Sequence, residues 1–326
     1  MKYNINSKDY TKNDIMKTLN KYGVAILPSL LNKNEIKNMN DGMWNYLEHI
    51  TSDFNNTTHG AINRNDKKTW KSFYDLFPMH SMLVQHWGIG HAQHVWDLRQ
   101  NTKIVDVFAK IWDVNREDLL TSFDASSFHF PPEETNRGYF RNNYWLHSDQ
   151  SFTRNDFECV QSWVTGYDVS EEDATLAFME GSNNYHKAFR EHFNIEKKED
   201  WYQLNEEELQ FYKDKGCEIK RISCPAGSMV MWDSRTIHCG VESIKGRSQN
   251  NFRNVSYICM MPRSKAKLVD IEKKQKALKN LRTTTHWAHR AKLFSKCPRT
   301  YGKELPPIKE INPPVLNELG KKLAGY

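Results

Sequence analysis

Residues 143–152 read NYWLHSDQSF, which sets His147 and Asp149 two positions apart in an aromatic-rich run. In an extended strand residues i and i+2 face the same way, so these two side chains project together while Ser148 points away. One imidazole and one carboxylate side by side suit a single cation. The spacing alone is not distinctive: in a chain with 13 histidines, on the order of one His-x-Asp arises by chance. A three-ligand site that leaves the far side of an octahedron open needs a second histidine, brought in from a distant strand.

The stretch CPAGSMVMWDSRTIHCG, residues 224–240, supplies that histidine as His238. A Pro-Ala-Gly-Ser turn opens a strand in which Met229 and Met231 alternate with Val230 and Trp232, and a second turn delivers the imidazole. Next comes NFRNVSYICMM, a β-rich run with Arg253 near its start. A guanidinium on rigid strand backbone is a natural partner for a ligand carboxylate, because its fork engages both oxygens. Arg247 is the rival clamp. It sits among Gly, Ser, Gln and Asn rather than on a strand, which favours Arg253 for the carboxylate and leaves Arg247 to face a substrate.

Around these segments the chain divides in character. YTKNDIMKTLNKYG predicts a helix with Ile15, Leu19 and Tyr22 on one face and Gly23 as its stop. VAILP follows as a strand, and residues 32–50 as a second helix with Ile36, Met39, Met43, Tyr46 and Leu47 aligned. The Asn-rich residues 52–72 read as a loop, and residues 80–122 as helical. From Leu119 onward, short apolar or alternating runs separated by turn residues predict a sandwich or barrel-like β fold. A charged, helical insertion ending at Gly216 interrupts them. The C-terminal stretch SKAKLVDIEKKQKALKNL places Leu268, Ile271, Gln275, Leu278 and Leu281 near one helical stripe.

The chain has 326 residues, 38% hydrophobic and 26% charged, the balance of a folded protein with a polar surface. It contains neither a signal-peptide pattern nor an apolar stretch of membrane-spanning length, so an intracellular location is expected. Six cysteines without a CxxC pair point to reduced thiols. The net charge of +6 is uneven: 16 Lys and Arg stand against 5 Asp and Glu from Pro262 onward. That tail reads as a solvated helix face, or as a patch for nucleic acid, an acidic protein or an anionic membrane surface.

The order of these stretches resembles the phytanoyl-CoA dioxygenase (PhyH) family of Fe(II)- and 2-oxoglutarate-dependent oxygenases. KYGVAILPSLLNKNEIKNM is similar to the family's opening, WLHSDQSF to its metal-binding strand and ATLAFMEGSNNYHK to its following turn. PAGSMVMWDSRTIHCG resembles its distal-histidine strand, and FRNVSYICM its cosubstrate-arginine strand. The turn at Glu180-Gly181-Ser182-Asn183 lacks the family's usual proline and histidine.

The resemblance implies a mainly β fold with flanking helices, built on a double-stranded β-helix of jelly-roll, cupin-like type. Residues 1–263 would form the oxygenase domain, with helical N-terminal residues 1–118, a jelly-roll core over 119–263 and a helical insertion over 187–216. Residues 264–326 would be a basic helical extension packing on that domain. It further implies an enzyme with Fe(II) on His147, Asp149 and His238, with 2-oxoglutarate on Arg253 (alternatively Arg247), and with O2 as oxidant. The expected reaction is hydroxylation of a small-molecule aliphatic C–H bond, because Asp149 occupies the position that halogenases of this type leave open for halide. Nucleic acid or protein substrates held by the basic tail, and a catalytically inactive metal-binding module, are the alternatives.

Gln161, Trp163 and Thr165 alternate on one face of CVQSWVTGYDV. Gln161 and Thr165 are expected near the cosubstrate; Trp163, Trp145 and Arg247 are expected at the substrate pocket. His86, His91 and His94 form a rival zinc cluster with no carboxylate or cysteine at ligand spacing. His129 and His186 read as structural.

Overall fold

A computed structural model describes residues 2–55 and 57–326; Met1 and Asn56, the latter within the stretch read as loop, lie outside the described residues. Helix α1 (Lys12–Tyr22) starts at Thr11, whose hydroxyl accepts from the Asp14 amide while the Asp14 carboxylate accepts from the Thr11 amide. It stops at Gly23, whose φ of 81° lies in the left-handed region glycine enters without strain. Strand β1 (Val24–Leu27) follows, and helix α2 (Lys33–Ile50) is capped by the same reciprocal bonds between Asn32 and Glu35. Strand β2 (Leu83–Val84) and helices α3 (Gln93–Arg99) and α4 (Thr102–Trp112) complete the N-terminal region.

Thereafter the chain runs through β3 (Leu119–Thr121), β4 (Ser126–His129), a short α5 (Pro132–Thr135), β5 (His147–Ser148), β6 (Val160–Thr165) and β7 (Thr175–Met179). Next come α6 (His186–Phe193), β8 (Tyr202–Gln203), α7 (Glu206–Asp214), β9 (Ile219–Arg221), β10 (Met229–Asp233), β11 (His238–Val241), β12 (Arg253–Ile258) and β13 (Met260–Pro262). Helices α8 (Leu268–Lys279) and α9 (Glu318–Ala324) close it. A six-stranded sheet in the order β1-β10-β6-β12-β4-β2 faces a five-stranded sheet in the order β8-β5-β11-β7-β9, and β13 pairs with β3. The pairings between these strands are antiparallel. This is the jelly-roll core expected of a double-stranded β-helix.

The alternation in β10 decides how the layers stack. Val230 and Trp232 turn inward with Trp163 and Val255, meeting Leu176 and Phe178 of the opposite sheet. Met229 and Met231 turn outward with Ala25, Leu27, Val160 and Val164, against Ile15 and Leu19 of α1 and Ile104 and Phe108 of α4. The large sheet is thus covered on both faces, which is why its strands read as unbroken apolar runs. Each such side chain contributes roughly 1.5–3 kcal/mol by leaving water.

Four expectations are corrected. The first 118 residues are not helical alone, since β1 and β2 form the two edges of the large sheet. Within 52–72, a 3-10 helix (Lys67–Leu76) begins and buries Trp70, Phe73, Tyr74 and Leu76; aromatic spacing of three and four residues overrides the polar composition. The insertion is not helical throughout: β8 lies between α6 and α7 and pairs with β5. In α8 the buried positions are Lys274 and Ala277, while Leu268 and Val269 are exposed. Of the expected stripe only Leu268 is exposed, Ile271, Gln275, Leu278 and Leu281 being half-buried, while Lys274, beside that stripe, lays its stem inward, its Nζ reaching the Thr121 carbonyl 3.8 Å from the Phe123 ring centroid. Other cations of the tail also act as anchors: Arg263 donates to the Lys322 carbonyl and Arg282 to that of Phe294. Among the described residues no helix is long and apolar enough to cross a membrane.

Burial holds the imidazoles of His91 and His94 down to about 3 and that of His129 down to about 4. In the unfolded chain each titrates near 6.5, so between these values the unfolded state binds more protons and stability rises with pH. Asp124, pushed up to about 7 chiefly by burial, works in the opposite sense but is outnumbered. Urea unfolding is therefore expected to show stability falling as pH drops from about 6.5 towards 4, with His94→Gln reducing that slope. An unchanged slope in the variant would contradict the assignment.

Candidate metal centre and its cavity

Strands β5 and β11 meet at one pair of positions, His147 opposite His238. The His147 Nδ1 lies 3.1 Å from the Trp145 carbonyl and the His238 Nδ1 2.8 Å from the Thr236 carbonyl, in each case two residues back along the chain. Each Nδ1–H thereby donates to backbone, which fixes the tautomer and leaves the Nε2 lone pair available to a metal. Asp149 follows immediately after β5. Its Oδ1 is 3.6 Å from His147 Nε2, and its Oδ2 is 3.3 Å from His238 Nε2. The three ligand atoms lie within 4.8 Å of one another, and among the described residues these are the three that meet a metal-binding geometry.

Burial pushes the His147 imidazole down to about 4, so it is neutral at neutral pH and ready to coordinate. Burial acts to raise the Asp149 carboxyl, but the two histidines outweigh it and hold the group below the usual carboxylate range. The result is an anionic oxygen beside two imidazole nitrogens, a donor set that suits a divalent transition metal. Gln161 supports it from β6, where it stands opposite Trp232 of β10: its Nε2 donates to Asp149 Oδ2 at 2.8 Å.

A cavity of about 420 Å3 opens onto this triad. Trp145 forms part of its wall, stacked 4.7 Å from the His147 ring on one side and 4.0 Å from His80 on the other, its indole N–H donating to the Gly240 carbonyl. Gln161, Asp124, Trp201 and Tyr257 also line it. So do Thr285, His286, Trp287 and Phe294 from the C-terminal region.

The remaining candidates are placed as follows. Arg253 is buried on β12, its Nε donating to Ser127 Oγ at 3.0 Å and its Nη1 to the Ala174 carbonyl at 3.1 Å. Ser127 lines the cavity, whereas Arg253 is not itself among the lining residues, and its guanidinium lies 5.4 Å from the Trp163 ring centroid. Arg253 has no carboxylate partner among the described residues. Arg247 is already paired: its fork binds both Glu133 oxygens at 3.0 and 2.8 Å, and Nη1 reaches Asp173 at 2.7 Å. It does not line the cavity, which corrects its expected place facing a substrate. Trp163 is fully buried between the sheets beneath Arg253, so it is core rather than pocket wall. Thr165 turns its hydroxyl to the Tyr167 carbonyl at 2.7 Å, away from the cavity. His86, His91 and His94 do not converge: His86 meets the Ser295 carbonyl, His91 that of Arg282, and His94 packs beside Gly42 and Tyr46.

Asp124, Trp201 and the cluster 285–287 were not singled out by the sequence. The one available signal was the His286-Trp287 pair, two ligand-binding residue types in an otherwise basic, polar tail. Asp124 carries no motif, and only its position beside the triad reveals it. Its carboxyl is pushed up to about 7, by burial first and by Asp149 in addition.

Two variants test these placements. Gln161→Ala is expected to weaken Mn(II) binding by roughly tenfold without abolishing it, because the orienting hydrogen bond is lost while the ligands remain; isothermal titration reads the change. Arg247→Ala is expected to cost about 3 kcal/mol in urea unfolding, since it strands buried Asp173, and to leave Mn(II) affinity unchanged.

Comparison with known proteins agrees with this geometry. The sequence matches the Phytanoyl-CoA dioxygenase (PhyH) family over residues 19–244, a span that holds all three triad residues. A curated relative, Ava biosynthesis cluster protein O of Aspergillus versicolor, is 27% identical over 216 residues, 63% of this chain. The match spans just under two thirds, 66%, of that relative's length. A putative oxidoreductase from Salmonella typhimurium LT2 shares the fold over 99% of this chain and 86% of its own, at 12% identity and a TM-score of 0.63. The hypothetical protein JW0805 from Escherichia coli does so over 99% and 85%, at 13% identity and a TM-score of 0.61. The length of the family match decides the assignment: the chain belongs to the phytanoyl-CoA dioxygenase family.

Proposed function

We propose that this protein is a non-haem Fe(II)- and 2-oxoglutarate-dependent dioxygenase that hydroxylates an aliphatic C–H bond of a small molecule, with His147, Asp149 and His238 holding Fe(II) and Arg253 holding the distal carboxylate of 2-oxoglutarate. One observation carries the reading: two Nε2 atoms and an ionised carboxylate lie within 4.8 Å of one another, while Arg253, buried on another strand of the same interior, lacks a carboxylate partner among the described residues. The donor set fits iron, and the unpaired cation fits a dicarboxylate. When bound, iron with 2-oxoglutarate and O2 supplies a C–H oxidant, the overall change being R–H, 2-oxoglutarate and O2 to R–OH, succinate and CO2.

The chain's own groups have separable roles. His147 and His238 bind through Nε2 while their backbone hydrogen bonds hold the rings in place. Asp149 fills the third protein position, so no site is left for a halide, and Gln161 keeps its carboxylate aimed. Arg253, braced by Ser127 and lying over Trp163, offers Nη2 to the cosubstrate. Trp145, Trp201, Trp287 and Phe294 give the cavity an aromatic wall against which an apolar substrate packs. A cavity of about 420 Å3 is the size of a small-molecule site, which supports a metabolite-sized substrate over a polymer.

Anaerobic addition of Fe(II) and 2-oxoglutarate is expected to give the weak metal-to-ligand absorption band, and admission of air to release succinate. His147→Ala should lose both. Arg253→Ala should raise the 2-oxoglutarate concentration needed for half-maximal band intensity by about 100-fold, two charge-assisted bonds being removed, with Mn(II) binding unchanged. Survival of the band in His147→Ala, or an unaltered 2-oxoglutarate requirement in Arg253→Ala, would sink the site assignment.

A further inference from the structure

Asp124 brings to the cavity a carboxylate that forms no ion pair among the described residues. Its Oδ1 accepts from the Ala125 amide at 2.7 Å. Its Oδ2 has no hydrogen-bond partner among the described residues, yet it is not one of the polar atoms that packing seals off, so it keeps accessible surface. Phe123 and Ala125 on either side are buried whereas Asp124 is half-buried, and the open space at its side chain is the cavity it lines. Burial first, and Asp149 in addition, push this carboxyl up to about 7, which expresses the cost of holding a charge away from water without a partner.

The backbone fixes this position from both sides. The Phe123 amide donates to Thr284 Oγ1 at 3.1 Å and the Thr284 amide to the Phe123 carbonyl at 2.8 Å, while the Tyr257 amide donates to the Ala125 carbonyl at 3.2 Å. Buried Arg99 donates from Nη2 to the Asp124 carbonyl at 2.9 Å and from Nη1 to that of Gly90. That guanidinium therefore orders the backbone and acts on the carboxylate only from beyond ion-pair distance. The other charges on the wall have their own partners or face water. Asp200 pairs with Arg154 and Arg290, and Lys292 is exposed. On the proposed loading, iron and Arg253 together balance Asp149 and the 2-oxoglutarate dianion, which leaves Asp124 as the uncompensated charge of the filled site.

Aromatic faces complete the chemistry. Trp145, Trp201, Tyr257, Trp287 and Phe294 line the same space, and the negative face of an aromatic ring attracts a cation that has left water. A carboxylate among aromatic walls therefore hosts a cation better than a neutral hydroxyl, which gains from the carboxylate alone. We infer that Asp124 determines substrate specificity and that the substrate carries a protonated amine on an apolar body, the ammonium paired with Asp124 Oδ2 and the body packed against the aromatic wall. To call that ligand a substrate rests on the hydroxylase reading, but the cation site itself does not require iron.

The probes are two amines, tryptamine and phenethylamine, and their neutral counterparts tryptophol and 2-phenylethanol. They are titrated calorimetrically at a pH of about 8, where the amines are protonated and Asp124 is ionised, into wild-type protein both metal-free and as the anaerobic Fe(II)·2-oxoglutarate complex. Each amine is expected to bind at least about tenfold more tightly than its alcohol. Asp124→Asn keeps an oxygen for the Ala125 amide and should bring amine affinity down to about that of the alcohol, with alcohol affinity and the absorption band unchanged. The inference is overturned if neither amine binds the wild type, if the alcohols bind it as tightly, or if the preference survives in Asp124→Asn. It is equally overturned if the variant loses amine and alcohol together, which marks a structural residue, or if an amine abolishes the wild-type band, which places it on the metal. Wild-type complex alone gives a second reading that needs no variant: indole-3-propionate, an anion of similar shape, should bind more weakly than tryptophol, and tighter binding overturns the inference. An amine preference in the metal-free protein that Asp124→Asn removes, together with a wild type that never forms the band, leaves the cation site standing and removes the hydroxylase reading instead.

Discussion

The pairing of His147 with His238 across β5 and β11 is the constraint on which the site depends. Strand β5 is two residues long, and a slip of one position would turn His147 to the opposite face and Ser148 into the cavity. Local β propensity cannot hold so short a strand in register. Side-chain and backbone bonds outside the ladder do so instead. Gln150, just past the carboxylate ligand, donates from Nε2 to the carbonyls of Arg154 and Asp156 and accepts at Oε1 from Ser234 Oγ, while its amide donates to the Ser234 carbonyl. It ties the loop after β5 to the turn before β11, so the placement of Asp149 relative to both histidines is set by a buried glutamine that never touches the metal position.

A second layer of constraint comes from the large sheet. Because it is buried on both faces, helices α1 and α4 outside and the smaller sheet inside, its strands have little freedom to shift. That rigidity delivers Gln161 and Trp232, paired across β6 and β10, to the metal side, and Arg253 to the far end of the same interior. The smaller sheet is supported differently. Its outer strand β8 belongs to the insertion, whose α6 and α7 pack Phe189 and Tyr212 beneath it with Phe152. The insertion thus stabilises the metal-bearing strand from its open edge.

The features of this arrangement that were legible in the sequence are those governed by short-range rules. Period-two spacing exposed His147 with Asp149 and the Met/Val-Trp alternation of β10, capping residues exposed α1 and α2, and strand context favoured Arg253. What escaped was assembled by tertiary contact. Lys274 is inside because Phe123 and the Thr121 carbonyl surround it, not because lysine belongs in a core. The two residues of β8 carry no periodicity to read. The cavity wall at 285–287 lies in a non-repeating stretch whose partners, Phe123 and Asp200, are far away in sequence. Charge composition likewise does not reveal such contacts as Arg290 with Asp200 and Arg263 with the Lys322 carbonyl, which join the C-terminal region to the body.

Arg247 and Arg253, both buried, show how environment rather than position distinguishes two candidates. Arg247 lies nearer to His238 in sequence, yet Glu133 and Asp173 already neutralise it, and its environment is electrostatically complete. Arg253 meets a hydroxyl, a carbonyl and an aromatic face, all of which solvate a cation without cancelling its charge. Desolvating a guanidinium with no counter-ion is unfavourable by itself. On the proposed assignment, the dianion that supplies the missing counter-charge also spans the distance to the metal triad. Binding of that dianion and stability of the interior are then one linked equilibrium, because a ligand that binds only the folded chain stabilises it by mass action.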